Sequence, residues 1–250
     1  MAGEGGRPRD RGSGNANKSG PPVRRSAPVR VRGARRRKPS STGWLSRQLN
    51  DPYVAEARRL GYRSRSAFKL IQLDDRFRLL SPGRRILDLG CAPGGWTQVA
   101  VERVGALGGR GTVVGIDVTE TAPIAGAAIL RADIQEPAVW AAIKAELGDS
   151  ADVVLSDMAP STTGHAATDH LRIVALAEAA LSVAERILKP GGAFVAKVFQ
   201  GGAEGALLAR LKQDFVQLRH AKPPASRAES AETYVVAKGF RGRARDTPVL

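Results

Sequence analysis

From Gly43 onward the chain sets apolar residues at helical spacing in two stretches, 44–60 and 64–80; the second carries Ala67, Leu70, Ile71 and Phe77 and is closed by Pro82-Gly83. Short apolar runs then alternate with helical patterns. The runs predict strands at Arg85–Leu89, 111–118, 128–132 (the weakest), Ala151–Ser156 and 193–199. Between them the spacing predicts helices at 96–104, 137–147, 168–188 and Gly205–Asp214. Two last strands, 215–220 and 233–238, follow with no helix between them, so they must pair as an antiparallel hairpin at the sheet end.

Strands alternating with helices imply an α/β fold, a mostly parallel seven-stranded sheet with helices on both faces and an antiparallel last strand. That ending is the Rossmann-like arrangement common in S-adenosylmethionine-dependent methyltransferases, whereas dehydrogenase-type domains continue with parallel units. In open α/β sheets ligands lie beyond the carboxyl ends of the strands. Those ends read Asp88, Asp117, Asp133, Asp157 and Lys197, an unusual concentration of ionisable groups.

Composition divides the chain. It has 250 residues and 42% hydrophobic content, enough for one catalytic domain and a tail. The net charge is +15, yet residues 1–40 alone hold twelve lysines and arginines against two acids. This stretch is rich in Gly, Pro, Ser and Arg and nearly free of large apolar residues, so 1–42 reads as a disordered basic tail. Its densest clusters, Arg24-Arg25 and Arg35-Arg36-Arg37-Lys38, suit an electrostatic arm for nucleic acid. Glu4, Asp10 and the lack of an amphipathic apolar face argue against a mitochondrial transit peptide. Residues 43–240 are expected to form the catalytic domain and 241–250 a flexible tail. The single cysteine, Cys91, allows no intramolecular disulfide, and no apolar run reaches the roughly 18–20 residues of a membrane span. A soluble cytoplasmic protein is expected, without a membrane partner.

The first strand leads into D-L-G-C-A-P-G-G-W at 88–96, a Gly-rich turn that opens a helix. Here Gly90, Gly94 and Gly95 are expected to take positive φ and let the backbone approach a ligand. The spacing is not G-x-G-x-x-G, and no Lys-Ser/Thr pair follows, so neither a dinucleotide nor a P-loop nucleotide is indicated. A ligand with an adenosine end and no phosphate fits. Asp117 could accept from ribose hydroxyls, Asp133 from an adenine amino group, and Asp88 could face a cationic end, as S-adenosylmethionine requires.

Five segments in order, S-R-S-A-F-K-L at 64–70, the Gly-rich turn, S-D-M-A-P at 156–160, V-A-K-V-F-Q-G at 195–201 and S-R-A-E-S-A-E-T-Y at 226–234, resemble the FtsJ-like ribosomal RNA ribose 2′-O-methyltransferases. The resemblance runs from about Gly61 to Gly239. It implies a Lys-Asp-Lys-Glu set around the acceptor ribose: Lys69, Asp157, Lys197 and a glutamate two residues before Tyr234, which selects Glu232 over Glu229. It also implies cofactor contacts at Gly94, Trp96, Asp117, Asp133 and Asp157, and a uridine of large-subunit ribosomal RNA as substrate. Two roles are open to Lys197, general base and orienter of the hydroxyl.

Arg58, Arg59, Arg63 and Arg65 in the leader and Lys212, Arg219, Lys222 and Arg227 later in the chain are candidates for phosphate contacts. A 2′-hydroxyl exists on RNA and not DNA. Aromatic residues make up only 5%, which favours a folded RNA or ribosomal particle over a naked strand or a cap. His165, His170 and His220 lack ligand spacing, so no metal is expected, and a monomer is expected. The competing readings are a 2′-O-methyltransferase of transfer RNA or messenger-RNA cap, and a ribosome-assembly factor with a relict cofactor site.

Overall fold

A computed structural model describes residues 45–46, 48–160, 163–199 and 205–242. The basic stretch 1–42, Trp44 and most of the C-terminal stretch 241–250 lie outside the described residues. The elements are α1 (Pro52–Leu60), α2 (Ala67–Phe77), β1 (Arg85–Leu89), α3 (Gly95–Val104), β2 (Thr112–Asp117), β3 (Ala128–Arg131), α4 (Val139–Leu147), β4 (Ala151–Ser156), α5 (Ala166–Ile187), β5 (Leu188–Phe199), α6 (Gly205–Asp214), β6 (Phe215–Ala221) and β7 (Glu232–Phe240).

The seven strands lie in the order β3-β2-β1-β4-β5-β7-β6. Neighbours from β3 to β5 are parallel, and β7 runs antiparallel to both β5 and β6. The expected terminal hairpin is present, with the further feature that its second strand inserts between β5 and β6. The chain moves outward from β1 to β2 and β3, then returns to the other side of β1 with β4. The crevice beyond the carboxyl ends of β1 and β4 is therefore the topological switch point, where ligands bind in such sheets.

Side chains alternate across the sheet and divide the core in two. Leu87, Val114, Val154, Phe194, Ala196 and Val235 pack under α4, α5 and α6. Ile86, Val113, Val153, Leu155, Val195, Tyr234 and Val236 pack under α2 and α3. No helix among the described residues is long and apolar enough to cross a membrane.

The helix starts differ from the sequence pattern for local reasons. The expected helix at 44–60 is broken: Asp51 caps α1, its carboxylate accepting from Tyr53 N at 3.0 Å, and Pro52 stands in the first turn, where its missing N–H is harmless. The helix expected at 64–80 is α2, and it stops at Arg78, which turns left-handed (φ 55°) while Asp74 accepts the backbone N–H groups of Leu79 and Leu80 at 2.8 and 2.7 Å. Strand β5 begins before the expected 193, although its regular pairing with β4 starts at Ala193 after a bulge.

Candidate active site

Alternation carries the ionisable groups to one place. On β5 the face of Ala193 and Val195 continues to Lys197, on β1 the face of Ile86 continues to Asp88, and on β7 the face of Val236 and Tyr234 continues to Glu232. Asp157 follows Leu155 by two at the end of β4. All lie on the side covered by α2 and α3, and α2 contributes Lys69 from above. Across neighbouring strands the carboxyl ends present Asp133, Asp117, Asp88, Asp157 and Lys197 in that order.

The four groups implied as a set form one connected network. Lys197 Nζ stands 2.8 Å from Asp157 Oδ1, donates to the Asp157 carbonyl at 2.9 Å, and lies 3.9 Å from Glu232 Oε2. Lys69 Nζ is 2.7 Å from Glu232 Oε1 and donates to Oε2 at 2.8 Å. Two ammonium and two carboxylate groups leave no net charge, which lets the network sit with Lys197 only 8% exposed. Burial opposes ionisation of Asp157, but the Lys197 and Lys69 ammonium groups, with hydrogen bonds from Lys197 and Tyr234, hold its carboxyl below the ordinary value. Glu229, the alternative to Glu232, instead lines a neighbouring cleft.

Several members escaped the sequence reading. The Tyr234 hydroxyl donates to Asp157 Oδ1 at 2.7 Å, its ring stands 5.6 Å from that of Trp96, and burial together with Asp157 and Glu232 raises its own pKa well above the ordinary phenol. Ser226 donates to Glu232 Oε1 at 2.8 Å. The parity of Tyr234 with Glu232 on β7 is a usable signal for the tyrosine. Ser226 comes from the loop between β6 and β7, where no periodicity reports orientation.

The Gly-rich turn does two things, not one. Gly90 (φ 74°) and Gly94 (φ 112°) take the left-handed conformation expected. Their open sides, however, are filled by protein: a Cβ on Gly90 would overlap Met158 from the loop after β4, and one on Gly94 would press on Ile124 and Arg63. Gly95 departs from the expectation of positive φ. It is the first residue of α3, and a Cβ there would strike Ser64 and Ser66 at the start of α2. These glycines allow loops to meet at the switch point. Trp96 is buried and donates from Nε1 to the Ser66 carbonyl at 2.8 Å, tying α3 to α2.

Among the acids beyond the sheet, Asp117 accepts from the backbone N–H groups of Ala92 (2.9 Å) and Thr119 (2.7 Å), fixing the Gly-rich turn to the end of β2. Asp133 stands two residues past β3 and accepts from Gln135 N at 2.9 Å. Asp88 is fully buried; Oδ2 accepts from the Thr97 hydroxyl at 2.7 Å while Oδ1 has no hydrogen-bond partner. Burial, reinforced by Asp157 and Asp117, pushes its carboxyl up to about 7 against the Thr97 bond. A buried acceptor that the protein leaves unpartnered beside a Gly-rich turn fits a ligand that brings a donor, preferably a cationic one.

Some of the basic residues expected on RNA are used internally. Arg63 donates to the carbonyls of Pro93, Ala122 and Pro123, bracing the Gly-rich turn. Arg65 pairs with Asp51 at 2.5 Å and bonds the Ala225 carbonyl. Lys222 caps the carbonyls of Ala228 (3.1 Å) and Ser230 (2.5 Å). Arg59 pairs on the surface with Glu56. Arg227 reaches Asp51 at 3.4 Å and, with Arg65, Lys69 and Glu232, lines a cleft of about 320 Å³.

A family model described as FtsJ-like methyltransferase matches residues 62–240. The ribosomal RNA large subunit methyltransferase E of Paramagnetospirillum magneticum is 61% identical over 236 residues, covering 94% of this chain and 95% of that protein. The protein of the same name from Acidiphilium cryptum is 59% identical over 218 residues, covering 87% and 95%. A solved Plasmodium falciparum chain described as a ribosomal RNA methyltransferase superposes with a TM-score of 0.65 at 32% identity, covering 73% of this chain and 100% of that one. The family match takes in α2, the Gly-rich turn and every strand that carries the network, and the chain belongs to the FtsJ-like methyltransferase family.

Proposed function

We propose that this methyltransferase moves a methyl group from S-adenosylmethionine to the 2′-hydroxyl of a uridine ribose in the large-subunit (23S) ribosomal RNA, acting in the cytoplasm as a monomer on the assembled or assembling 50S subunit. The observation that carries the reading is the neutral network of Lys69, Asp157, Lys197 and Glu232 at the strand ends, beside a cleft that Lys69 and Glu232 help to line. Relatives that bear the name ribosomal RNA large subunit methyltransferase E support the substrate.

Asp88, Asp117 and Asp133 would hold the cofactor through its amino group, ribose hydroxyls and adenine. Gly90, Gly94, Gly95 and Trp96 would shape the turn against it, and Asp157 would stand between cofactor and acceptor. Bound, S-adenosylmethionine supplies an electrophilic methyl on a neutral leaving group. The chain must hold the acceptor oxygen in line and receive its proton. Lys197 Nζ is the atom assigned to the hydroxyl, because two of its contacts already go to Asp157 and fix its position; as an ammonium it orients the oxygen, and to take the hydroxyl proton it must first release one of its own to solvent. Asp157, kept ionised, supports the cation wherever the proton is shared. Lys69 holds Glu232 in place and Tyr234 holds Asp157. The basic stretch 1–42 would add sequence-independent attraction to the particle.

Labelled methyl should pass from S-adenosylmethionine to large subunits lacking the modification in preference to protein-free ribosomal RNA, by at least tenfold in initial rate. Equal rates on both would remove the particle from the proposal. No transfer to either, with cofactor bound, would remove the substrate.

A further inference from the structure

Among the described residues three buried side-chain atoms lack a hydrogen-bond partner: Asp88 Oδ1, Gln48 Oε1 and Arg65 Nε. The first belongs to the Gly-rich turn. The other two belong to side chains that line the same cleft as Lys69 and Glu232, so they flank the network and not the cofactor turn. A buried polar atom without a partner is costly, and a site that keeps one beside its reacting groups is matched to a ligand that completes it.

Their chemistry narrows that ligand. Gln48 Oε1 is an acceptor and needs a donor. Phosphate offers only acceptors, so a backbone phosphate cannot complete it. A 2′-hydroxyl could: that of the acceptor belongs at Lys197, and those of flanking nucleotides would serve whatever the base, an outcome that the comparison of uridine with cytidine separates. Arg65 Nε is a fixed donor and needs an acceptor. Its guanidinium cannot swing to find one, because one end pairs with Asp51 at 2.5 Å and the other bonds the Ala225 carbonyl. A ligand edge with a donor beside an acceptor satisfies both. The imide N3–H of uracil with its adjacent carbonyl is such an edge. At about 320 Å³ the cleft matches the smallest of ordinary ligand sites, in keeping with one unstacked nucleotide and not a helix.

We infer that Gln48 and Arg65 read the base of the acceptor nucleotide, Gln48 Oε1 accepting from uracil N3–H and Arg65 Nε donating to O4, the carbonyl that cytidine replaces by an amino group. The inference rests on the uridine reading above. Asp51 acts through Arg65 as a positioning residue, with Arg227 as its second partner at 3.4 Å.

The test compares large subunits carrying uridine or cytidine at the acceptor position, with wild type, Gln48→Met and Arg65→Lys. Gln48→Met keeps the length of the side chain and removes its hydrogen bonds; Arg65→Lys keeps the charge and removes the fixed fork. The wild type should prefer uridine. Each variant should lose roughly 10- to 100-fold in kcat/KM on uridine, stay within a few-fold of wild type on cytidine, and bind S-adenosylmethionine unchanged. Equal losses on both nucleotides would mean that these residues position the strand without reading the base, and would overturn the inference. Undiminished preference for uridine in both variants would overturn it as well. Absence of transfer by the wild type to the uridine subunit would instead reject the uridine reading on which the inference stands.

Discussion

Lys197→Ala should abolish methyl transfer, lowering kcat by roughly 10²- to 10⁴-fold, the range that a positioned proton acceptor contributes. Binding of S-adenosylmethionine should change by no more than a few-fold, because Asp88, Asp117 and Asp133 stand at the ends of β1, β2 and β3, away from β5, and of the acids assigned to the cofactor only Asp157 is shared with Lys197. The same substitution leaves Asp157 without its nearest cation in a site where Lys197 is only 8% exposed. Removing one partner of a buried pair costs about 3–5 kcal/mol, so the variant should also melt earlier. Lys197→Arg separates the two roles. Arginine restores a cation beside Asp157 but cannot accept a proton at neutral pH, so recovered stability without recovered turnover identifies Lys197 as the base. Recovery of both makes it the orienter of the hydroxyl. Turnover of Lys197→Ala within a few-fold of wild type would remove it from the reaction.

Asp88→Asn should stabilise the ligand-free protein at alkaline pH while it weakens cofactor binding. The folded carboxyl sits at about 7 against an ordinary value of 3.8, chiefly through burial. Between those values the unfolded chain has released a proton that the folded chain keeps, so folding stability falls as pH rises from about 4 to about 7. Such a shift corresponds to roughly 4 kcal/mol lost by pH 8 from this group. Asparagine cannot ionise and removes this component. Its amide keeps an acceptor for Thr97 but brings buried N–H groups without a partner, a cost of about 1–3 kcal/mol. Denaturant unfolding at a series of pH values should therefore show the variant flatter than wild type across this window and more stable than it at pH 8, by about 1–3 kcal/mol. Cofactor affinity should move the other way, by tenfold or more. A parallel pH dependence in the two proteins would contradict the assignment of Asp88. A residue that costs stability and helps binding is what a ligand site on this sheet requires.

Much of this was legible in the sequence because two periods carry it. The alternation of short apolar runs with helical spacing defined the strands, and the pair 215–220 and 233–238 without an intervening helix defined the antiparallel ending seen in β6 and β7. The same two-residue period explains why Asp88, Asp157, Lys197 and Glu232 share a face. Lys69 was different: a lysine on an amphipathic helix ordinarily faces water, and only the motif resemblance selected it, as its bond to Glu232 across the chain makes clear. The insertion of β7 between its neighbours was not legible, since register between distant strands leaves no local trace. Nor was the internal use of Arg63, Arg65 and Lys222, because an arginine bound to carbonyls and one free for phosphate look alike in a sequence. The glycines of the turn were read as room for a ligand, whereas Met158, Ile124 and Ser64 occupy that room and make them contacts between loops.

On the proposed function the methyl reaches a ribose oxygen and not a base. Large subunits lacking the modification, incubated with the protein and methyl-labelled S-adenosylmethionine, can be digested to nucleosides and separated. All of the label should appear in 2′-O-methyluridine, from a single position whose backbone linkage resists alkaline cleavage. Label in a base-methylated nucleoside, with that linkage still alkali-sensitive, would contradict it.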